Sequence, residues 1–444
     1  MNRDLPHPAI LLSAAVLFAA ALTWILPAGE YERKDDPATG RRIVVAGTYR
    51  PVDSSPVTGF AAALAIPRGF AEAVDVIAVV LFVGGAWVVV ERTGTLGRIV
   101  SALAASFSGR GLWAIPAVSL FFAGMGALEN MQEEIIPLIP VLLLFGRQIG
   151  VNAVVVVAMS AGAAMIGSAF GPTNPFQAGI ALKLAQLPPL SGAGWRAAMF
   201  VIAVLLWIGW TVRYAWRTRT GPVAHNGRTS FRLDSRDWLI ALLTISPMVA
   251  YVYGSLSHGW GFNELSAAFL CGGVAAGLVG RLGGKGTVHA YLEGMQSLVP
   301  AAVLIGLARS ISLVLSDGHI IDTILHSTAA LLERVPGGLA AFLMIPLQAL
   351  IHIVVPSVSG QAVLTMPVLV PLTDLLRQSR QLTVLAYQTG AGLAELLTPT
   401  NGALMAVLLA AGVRYKDWIR FAVTGVTLAL LVSVVAMAVV LVFQ

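Results

Sequence analysis

Long apolar runs separated by short polar breaks dominate the chain, and about 20 residues of such a run cross a hydrocarbon core of about 30 Å. Residues 8–26, 71–91, 195–212, 238–253, 264–279, 300–315 and 419–443 each predict a spanning helix, with an amphipathic lead-in from residue 291 before the sixth. Residues 93–108 read as a shorter amphipathic piece. Residues 27–66 read as a polar loop, whose β-branched stretch from Arg41 to Tyr49 predicts a small hairpin outside the membrane.

Two runs, 112–146 and 339–377, are too long for one helix. The first is interrupted by Glu129, Glu133, Glu134, Pro137 and Pro140, the second by Pro356-Ser357-Val358-Ser359-Gly360. Each predicts a re-entrant helical hairpin. Two more, 151–187 and 382–413, carry Gly171-Pro172-Thr173-Asn174-Pro175 and Thr398-Pro399-Thr400-Asn401-Gly402 in their middles. Proline removes a helical donor and clashes with the preceding turn. Within hydrocarbon, the freed backbone is tolerated only where protein buries it or a polar cavity meets it. Broken helices at matching positions of two halves point to a transporter binding site.

The halves do match. Asn174 and Asn401 are 227 residues apart, and the same shift carries Glu133 onto Gly360 in the second interruption. Thr93-Gly94-Thr95-Leu96-Gly97-Arg98-Ile99 resembles Asp317-Gly318-His319-Ile320-Ile321-Asp322-Thr323 at a shift of 224. The predicted fold is an all-α polytopic membrane protein of two repeats. Residues 1–212 form the first repeat and 261–444 the second. Between them, 213–260 hold an arginine-rich loop and a linker helix. Each repeat crosses four times and the linker once, so the second repeat is inverted.

Composition agrees. Only 11% of the 444 residues are charged and 57% are hydrophobic, against about 25% charged in soluble proteins. The +6 net charge is concentrated: Arg213, Arg217, Arg219, Arg228, Arg232 and Arg236 crowd one loop. That is a cytoplasmic anchor under the positive-inside rule rather than a nucleic-acid patch. A cytoplasmic N-terminus also places Arg92, Arg98, Arg110, Arg281, Lys285, Arg414, Lys416 and Arg420 inside. The lone Cys271 reads as a small packing residue, and Trp195, Trp210, Trp216 and Trp418 read as interfacial anchors. No nucleotide, zinc or nucleophile motif occurs, so neither an enzyme nor a bound cofactor is expected.

The candidate chemistry lies at the interruptions. Three carboxylates at membrane depth require water, a cation or a basic partner. Glu133 and Glu134 would meet a cationic substrate group or carry H⁺; the plain alternative is an internal ion pair, with Arg309 as partner. Ser357, Ser359, Gly360 and Gln361 open a helix whose free N–H groups would take a carboxylate, unless they form only a turn. Thr173, Asn174, Thr400 and Asn401 supply donors and acceptors. Freed carbonyls around Gly171 and Thr398, with those four side chains, would offer oxygens to Na⁺; the alternative is a kink used for packing. Glu395, on one face with Gln388, precedes the second break. Arg309 is either a counter-ion to a hairpin glutamate or a carboxylate ligand, and His352 is a packing residue or a relay.

Met131-Gln132-Glu133-Glu134, Gly306-Leu307-Ala308-Arg309, Asp322-Thr323-Ile324-Leu325, Pro356-Ser357-Val358-Ser359-Gly360-Gln361-Ala362 with Thr365-Met366-Pro367, and Thr398-Pro399-Thr400-Asn401 together carry a family likeness. They resemble the YfcC-type carriers of the C4-dicarboxylate (DcuC-like) family. The resemblance implies a homodimeric elevator carrier in the bacterial inner membrane, with a scaffold and a moving domain that holds both hairpins and both broken helices. Family members include basic amino-acid antiporters and dicarboxylate carriers. Relatives often read Gly-Asp-Gly where this chain reads Gly390-Ala391-Gly392, so an acid is lost there, with Glu395 one turn on to replace it. The expected function is ion-coupled transport or exchange of a small carboxylate-bearing solute, an amino acid before a dicarboxylate, because the two half-sites are chemically unlike.

Overall fold

The structure, a computed structural model, describes residues 8–37, 41–106, 111–188, 190–219, 233–258 and 260–442; Arg110, Arg228 and Arg232 lie outside them. Helix α1 (Pro8–Ile25) leads to four short strands, β1 (Gly29–Glu30), β2 (Arg33–Asp36), β3 (Arg41–Val44) and β4 (Arg50–Pro51). Strands β2 and β3 pair antiparallel with Lys34 opposite Ile43, and β1 pairs with β4. The expected hairpin is therefore present, but the loop ends earlier than its polarity suggests. Pro67 and Arg68 split an apolar run that nevertheless forms α2 (Gly59–Glu72), capped by Thr58, whose Oγ1 accepts from Ala61 N at 3.2 Å.

Then come α3 (Val74–Arg92), α4 (Thr95–Ser106), α5 (Ala114–Glu129), α6 (Ile139–Ile149), α7 (Ala153–Val157), α8 (Ala163–Phe170), α9 (Ile180–Leu184) and α10 (Ala193–Arg217). A 3₁₀ stretch, Glu133–Leu138, precedes α6, and π turns at Ala158–Gly162 and Pro175–Gly179 precede α8 and α9. The chain continues through α11 (Ser235–His258), α12 (Phe262–Val279), α13 (Gly283–Asp317), α14 (Ile321–Glu333), α15 (Gly337–Val354), α16 (Val358–Leu375), α17 (Arg380–Glu395), α18 (Gly402–Ala410) and α19 (Tyr415–Val442). Residues 283–317 form one 35-residue helix, not a lead-in plus a span. Helix α14 was not expected as an element; it starts where the sequence resembles the start of α4. Cys271 is exposed on α12 rather than packed.

Among the described residues, eight helical stretches are long and apolar enough to cross a membrane. They divide into two packed groups. One joins α1, α2, α3, α11 and α12 around the long α13; the other packs α5 on α8, α8 and α15 on α17, α16 on α17, and α10 on α19. The two groups meet where α13 touches α18 and where α3 touches the 3₁₀ stretch. The helix from Ala153 to Phe170 is 94% buried, so protein, not lipid, surrounds the approach to the first break.

The strands cover both groups on one side. Asp322 on α14 accepts from Tyr31 N at 2.9 Å and Arg33 Nη2 at 2.8 Å, and Tyr49 stacks on His326 with ring centroids 4.0 Å apart. Burial, with Asp322 alongside, pushes the Tyr31 phenol up to about 12, so its O–H stays protonated. Strand β3 also packs on α16 of the other group.

Helices α5 and α8 cross almost backbone to backbone. A Cβ on Gly126 would lie 2.0 Å from Ala164 O, and one on Gly167 would lie 2.0 Å from Ala123 O. Gly167→Val should therefore lower stability by at least about 1–3 kcal/mol, the usual cost of overpacking. Gly124→Val, where a Cβ meets nothing within 4 Å, should be neutral. Thermal unfolding in detergent checks the pair, and equal melting of the two variants contradicts this packing.

Candidate substrate site between the two helical groups

The second break lies where the groups meet, and the first is enclosed by α5, α8 and α17 of one group. Helix α5 ends at Asn130, whose left-handed φ of 55° turns the chain off the helix axis. Gln132 N donates to Glu134 Oε2 at 3.1 Å, and Gln132 Nε2 reaches Glu395 Oε2 at the end of α17 at 2.7 Å. One side chain thus ties the first interruption to the second half of the chain.

The breaks themselves are held by side chains. Asn174 is fully buried; its Oδ1 accepts from Phe176 N and Gln177 N at 2.9 Å. Its Nδ2 faces Gly126 O, Asn130 Oδ1 and Ser168 Oγ at 3.0–3.1 Å. Gly171 O accepts from Gln388 Nε2 at 2.9 Å, and Gln177 Nε2 returns a bond to Gln388 O at 3.3 Å. At the second break, Asn401 Oδ1 accepts from Leu404 N at 3.2 Å and its Nδ2 donates to Glu395 O at 3.3 Å. Trp418 Nε1 donates to Leu396 O at 2.8 Å, and the Tyr415 hydroxyl donates to Leu397 O. Trp418 is thus buried, not an interfacial anchor, while Trp216 is exposed as expected. Thr173 Oγ1 donates to Ala127 O at 3.1 Å and Thr400 Oγ1 to Ile353 O at 2.9 Å, so each threonine ties its break to the helix before the matching interruption.

These bonds bear on the expected Na⁺ oxygens. Gly171 O faces an amide N–H, Thr173 and Thr400 donate to carbonyls, Thr398 O accepts from Asn401 N at 3.2 Å, and both asparagine oxygens accept from backbone. Each of these oxygens thus already takes part in a hydrogen bond within the protein, and each except Asn174 Oδ1, which accepts two, keeps a lone pair for a further contact.

A cavity of about 420 Å³ opens between the groups, within the roughly 300–1,000 Å³ of small-molecule sites. It brings together Glu133, Glu134, Ser357, Ser359, Thr400, Asn401, Arg309 and Glu395, and adds Glu72, Glu129, Asn130, Gln132, Tyr251, Phe262 and Ser312. Thr173, Asn174, Gly360, Gln361, Gly171 and Thr398 do not line it. Gly360 is not in the break but in the first turn of α16, its N–H bonded to Ser357 Oγ at 3.3 Å. Gln361 is buried, donating to Gln348 O at 2.7 Å and meeting His352 Nδ1 at 2.9 Å, which makes His352 a packing partner.

The charges in the cavity are lopsided. Glu129, Glu133, Glu134 and Glu395 gather on one group, and Arg309 is the only basic side chain among the lining residues. Arg309 is not a counter-ion to a hairpin glutamate: its Nε and Nη2 bind Glu72 Oε2 at 3.0 and 2.8 Å. Glu72 is not singled out by the sequence because most of α2 reads as loop and Glu72 falls at the start of the span read over 71–91. A visible signal was Arg68 and Glu72 one turn apart on an otherwise apolar stretch.

Residues 5–442 match the family model described as DcuC, C4-dicarboxylate anaerobic carrier, and the chain belongs to that family. The Escherichia coli (strain K12) protein named "Putative basic amino acid antiporter YfcC" is 29% identical, over 97% of this chain and 95% of its own. An uncharacterized Haemophilus influenzae protein is 26% identical over 98% and 97%. Among solved structures, the Alcanivorax borkumensis YdaH transporter aligns over 99% of both chains at 19% identity and a TM-score of 0.45. Neisseria gonorrhoeae MtrF, of a class of antimetabolite efflux pumps, aligns over 98% of this chain and 95% of its own at 18% identity and 0.43. The protein is a multi-pass secondary transporter of the DcuC family, which is a family of carriers and not of enzymes.

The two asparagines carry unequal structural loads. Asn174→Ala leaves the buried Gln177 N–H without its acceptor, at about 1–3 kcal/mol, and the part-buried Phe176 N–H as well. Asn401→Ala removes a single cap worth about 1 kcal/mol. Asn174→Ala should melt well below Asn401→Ala in detergent, and equal melting points would show that the first break does not depend on its asparagine.

Proposed function

We propose that the protein carries an amino acid with a basic side chain across the inner membrane, by exchange or by coupling to H⁺. The observation that carries this reading is the excess of carboxylates in the cavity: four on one wall, with the single arginine already engaged by a fifth. A symmetric dicarboxylate would place a second negative charge against that wall, which like-charge repulsion disfavours. A cationic side chain instead supplies the partner that buried carboxylates need. The name of the E. coli relative agrees with this choice, whereas the family description would favour the dicarboxylate.

The other end of the solute has its own partners. Ser357, an N-cap accepting from Gly360 N, and Asn401, capping α18, put two helix starts at the cavity. Their N–H groups and partial positive charge suit a carboxylate. The succession of hairpin, broken helix and long helix occurs twice, in α5 to α10 and in α15 to α19. We read the two as inverted repeats that move together past the α13 group as an elevator, with the N-terminus cytoplasmic.

In proteoliposomes, unlabelled lysine, arginine or ornithine should compete with labelled arginine, and succinate should not. Glu133→Gln, Glu134→Gln or Glu395→Gln should weaken uptake by about tenfold or more, the equivalent of roughly 1.4 kcal/mol. Competition by succinate with no competition by basic amino acids would replace this reading with the dicarboxylate one.

A further inference from the structure

The Glu72–Arg309 pair lies on the wall opposite the four glutamates, on α2 and α13, and its placement is unusual for a bond that only joins two helices. Helices α2 and α13 already cross closely: a Cβ on Gly69 would lie 2.6 Å from Gly306 O. They also share a second ion pair, Arg68 to Asp317 at 2.5 Å, which does not line the cavity. Side chains of Arg309 and Glu72 remain 46% and 42% exposed, and a pair so open to solvent adds little to stability. Its geometry is also one-sided. Glu72 Oε2 receives both Nε and Nη2 of Arg309, while no described hydrogen bond engages Glu72 Oε1 or Arg309 Nη1. One acceptor and one donor of opposite charge thus stand side by side, with the Ser312 hydroxyl one turn further along α13 and on the same cavity.

We infer that Glu72 and Arg309 form a zwitterion clamp that selects α-amino acids over simple amines at this cavity. The α-ammonium of the substrate binds Glu72 Oε1; one oxygen of its α-carboxylate binds Arg309 at Nη1 while the other meets the helix starts at Ser357 and Asn401 across the same cavity. The pair need not break, because Glu72 Oε1 and Arg309 Nη1 carry no other described bond and both residues line the cavity. The cationic side chain then extends to Glu133, Glu134 and Glu395 across the cavity. This rests on the reading of the solute as a basic amino acid and adds the residues that distinguish it from its decarboxylated counterpart. Arginine suits this double duty better than lysine, because its planar guanidinium holds Glu72 with two nitrogens and keeps the third for the substrate. Because the clamp belongs to the α13 group and the acidic wall to the other, it acts where substrate first bridges the two groups.

The test is competition against labelled arginine in proteoliposomes of the full-length protein, using arginine and agmatine, which lacks the carboxylate. Wild type should prefer arginine by about tenfold or more. Arg309→Gln should bring the ratio of the two affinities close to one. The double variant Glu72→Gln/Arg309→Gln, which leaves no unpaired charge, should do the same and covers a failure of the single variant to fold. An unchanged ratio in a folded variant overturns the clamp, as does wild type that does not discriminate, while the basic amino-acid reading survives both. If arginine itself does not bind wild type, that reading fails and the clamp falls with it.

Discussion

A helix that stops inside a membrane protein exposes backbone groups that water cannot reach, and the rest of this structure follows from how they are met. At the first break they are met by Asn174, and by Gln388 from the far half of the chain. At the second they are met by Asn401, Trp418 and Tyr415. The asparagines act from within the breaks, while Gln388 reaches in from α17 and Trp418 and Tyr415 from α19, so each break also depends on the helices around it. This makes the α5–α10 and α15–α19 elements one cooperative body rather than two neighbouring halves.

The same requirement sorts the polar residues into two kinds. Those that satisfy backbone, such as Asn174, Gln177 and Gln361, are buried and have little capacity left for a ligand. Those at the mouth of the interruptions, such as Glu133, Ser357 and Glu395, face the cavity. The two asparagines fall on opposite sides of this line although each follows a Pro-Thr pair in a broken helix. The first is structural, while the second caps a helix and also meets the cavity. The glutamates are similarly unequal: the first interruption supplies three and the second none, with Glu395 arriving from the broken helix. An asymmetric solute suits such a site better than a symmetric one.

Much of this was legible from residue order, because proline and glutamate in an apolar run are costly and therefore informative. The positions of both interruptions, both breaks and the outer hairpin follow from that cost, and so does the gathering of Glu133, Glu134, Glu395, Ser357 and Asn401. What stayed hidden depends on partners distant in sequence. Arg309 could be placed in a helix but not paired, because Glu72 lies 237 positions away. Trp418 looks like an interfacial residue from its place at a helix start, yet its indole is drawn inward by Leu396 O. Helix α2 was missed since Pro67 and Arg68 interrupt its apolar face, although the close crossing at Gly69 accommodates them.

The strands near the start of the chain have a mechanical consequence. Their two ends are fastened to α1 and α2, and Asp322 rivets Tyr31 and Arg33 to α14. Helix α14 itself packs on α15 and α16, and strand β3 rests on α16 as well, so the strands join the α1–α2 end of one group to the other. The space between β3 and α16 is lined by Ile43, Val44, Pro367 and Val370 together with Lys34, Gln186, Asp374 and Arg380. The strands thus form a strap that couples the two groups on this side through the Asp322 bonds and the β3–α16 contact.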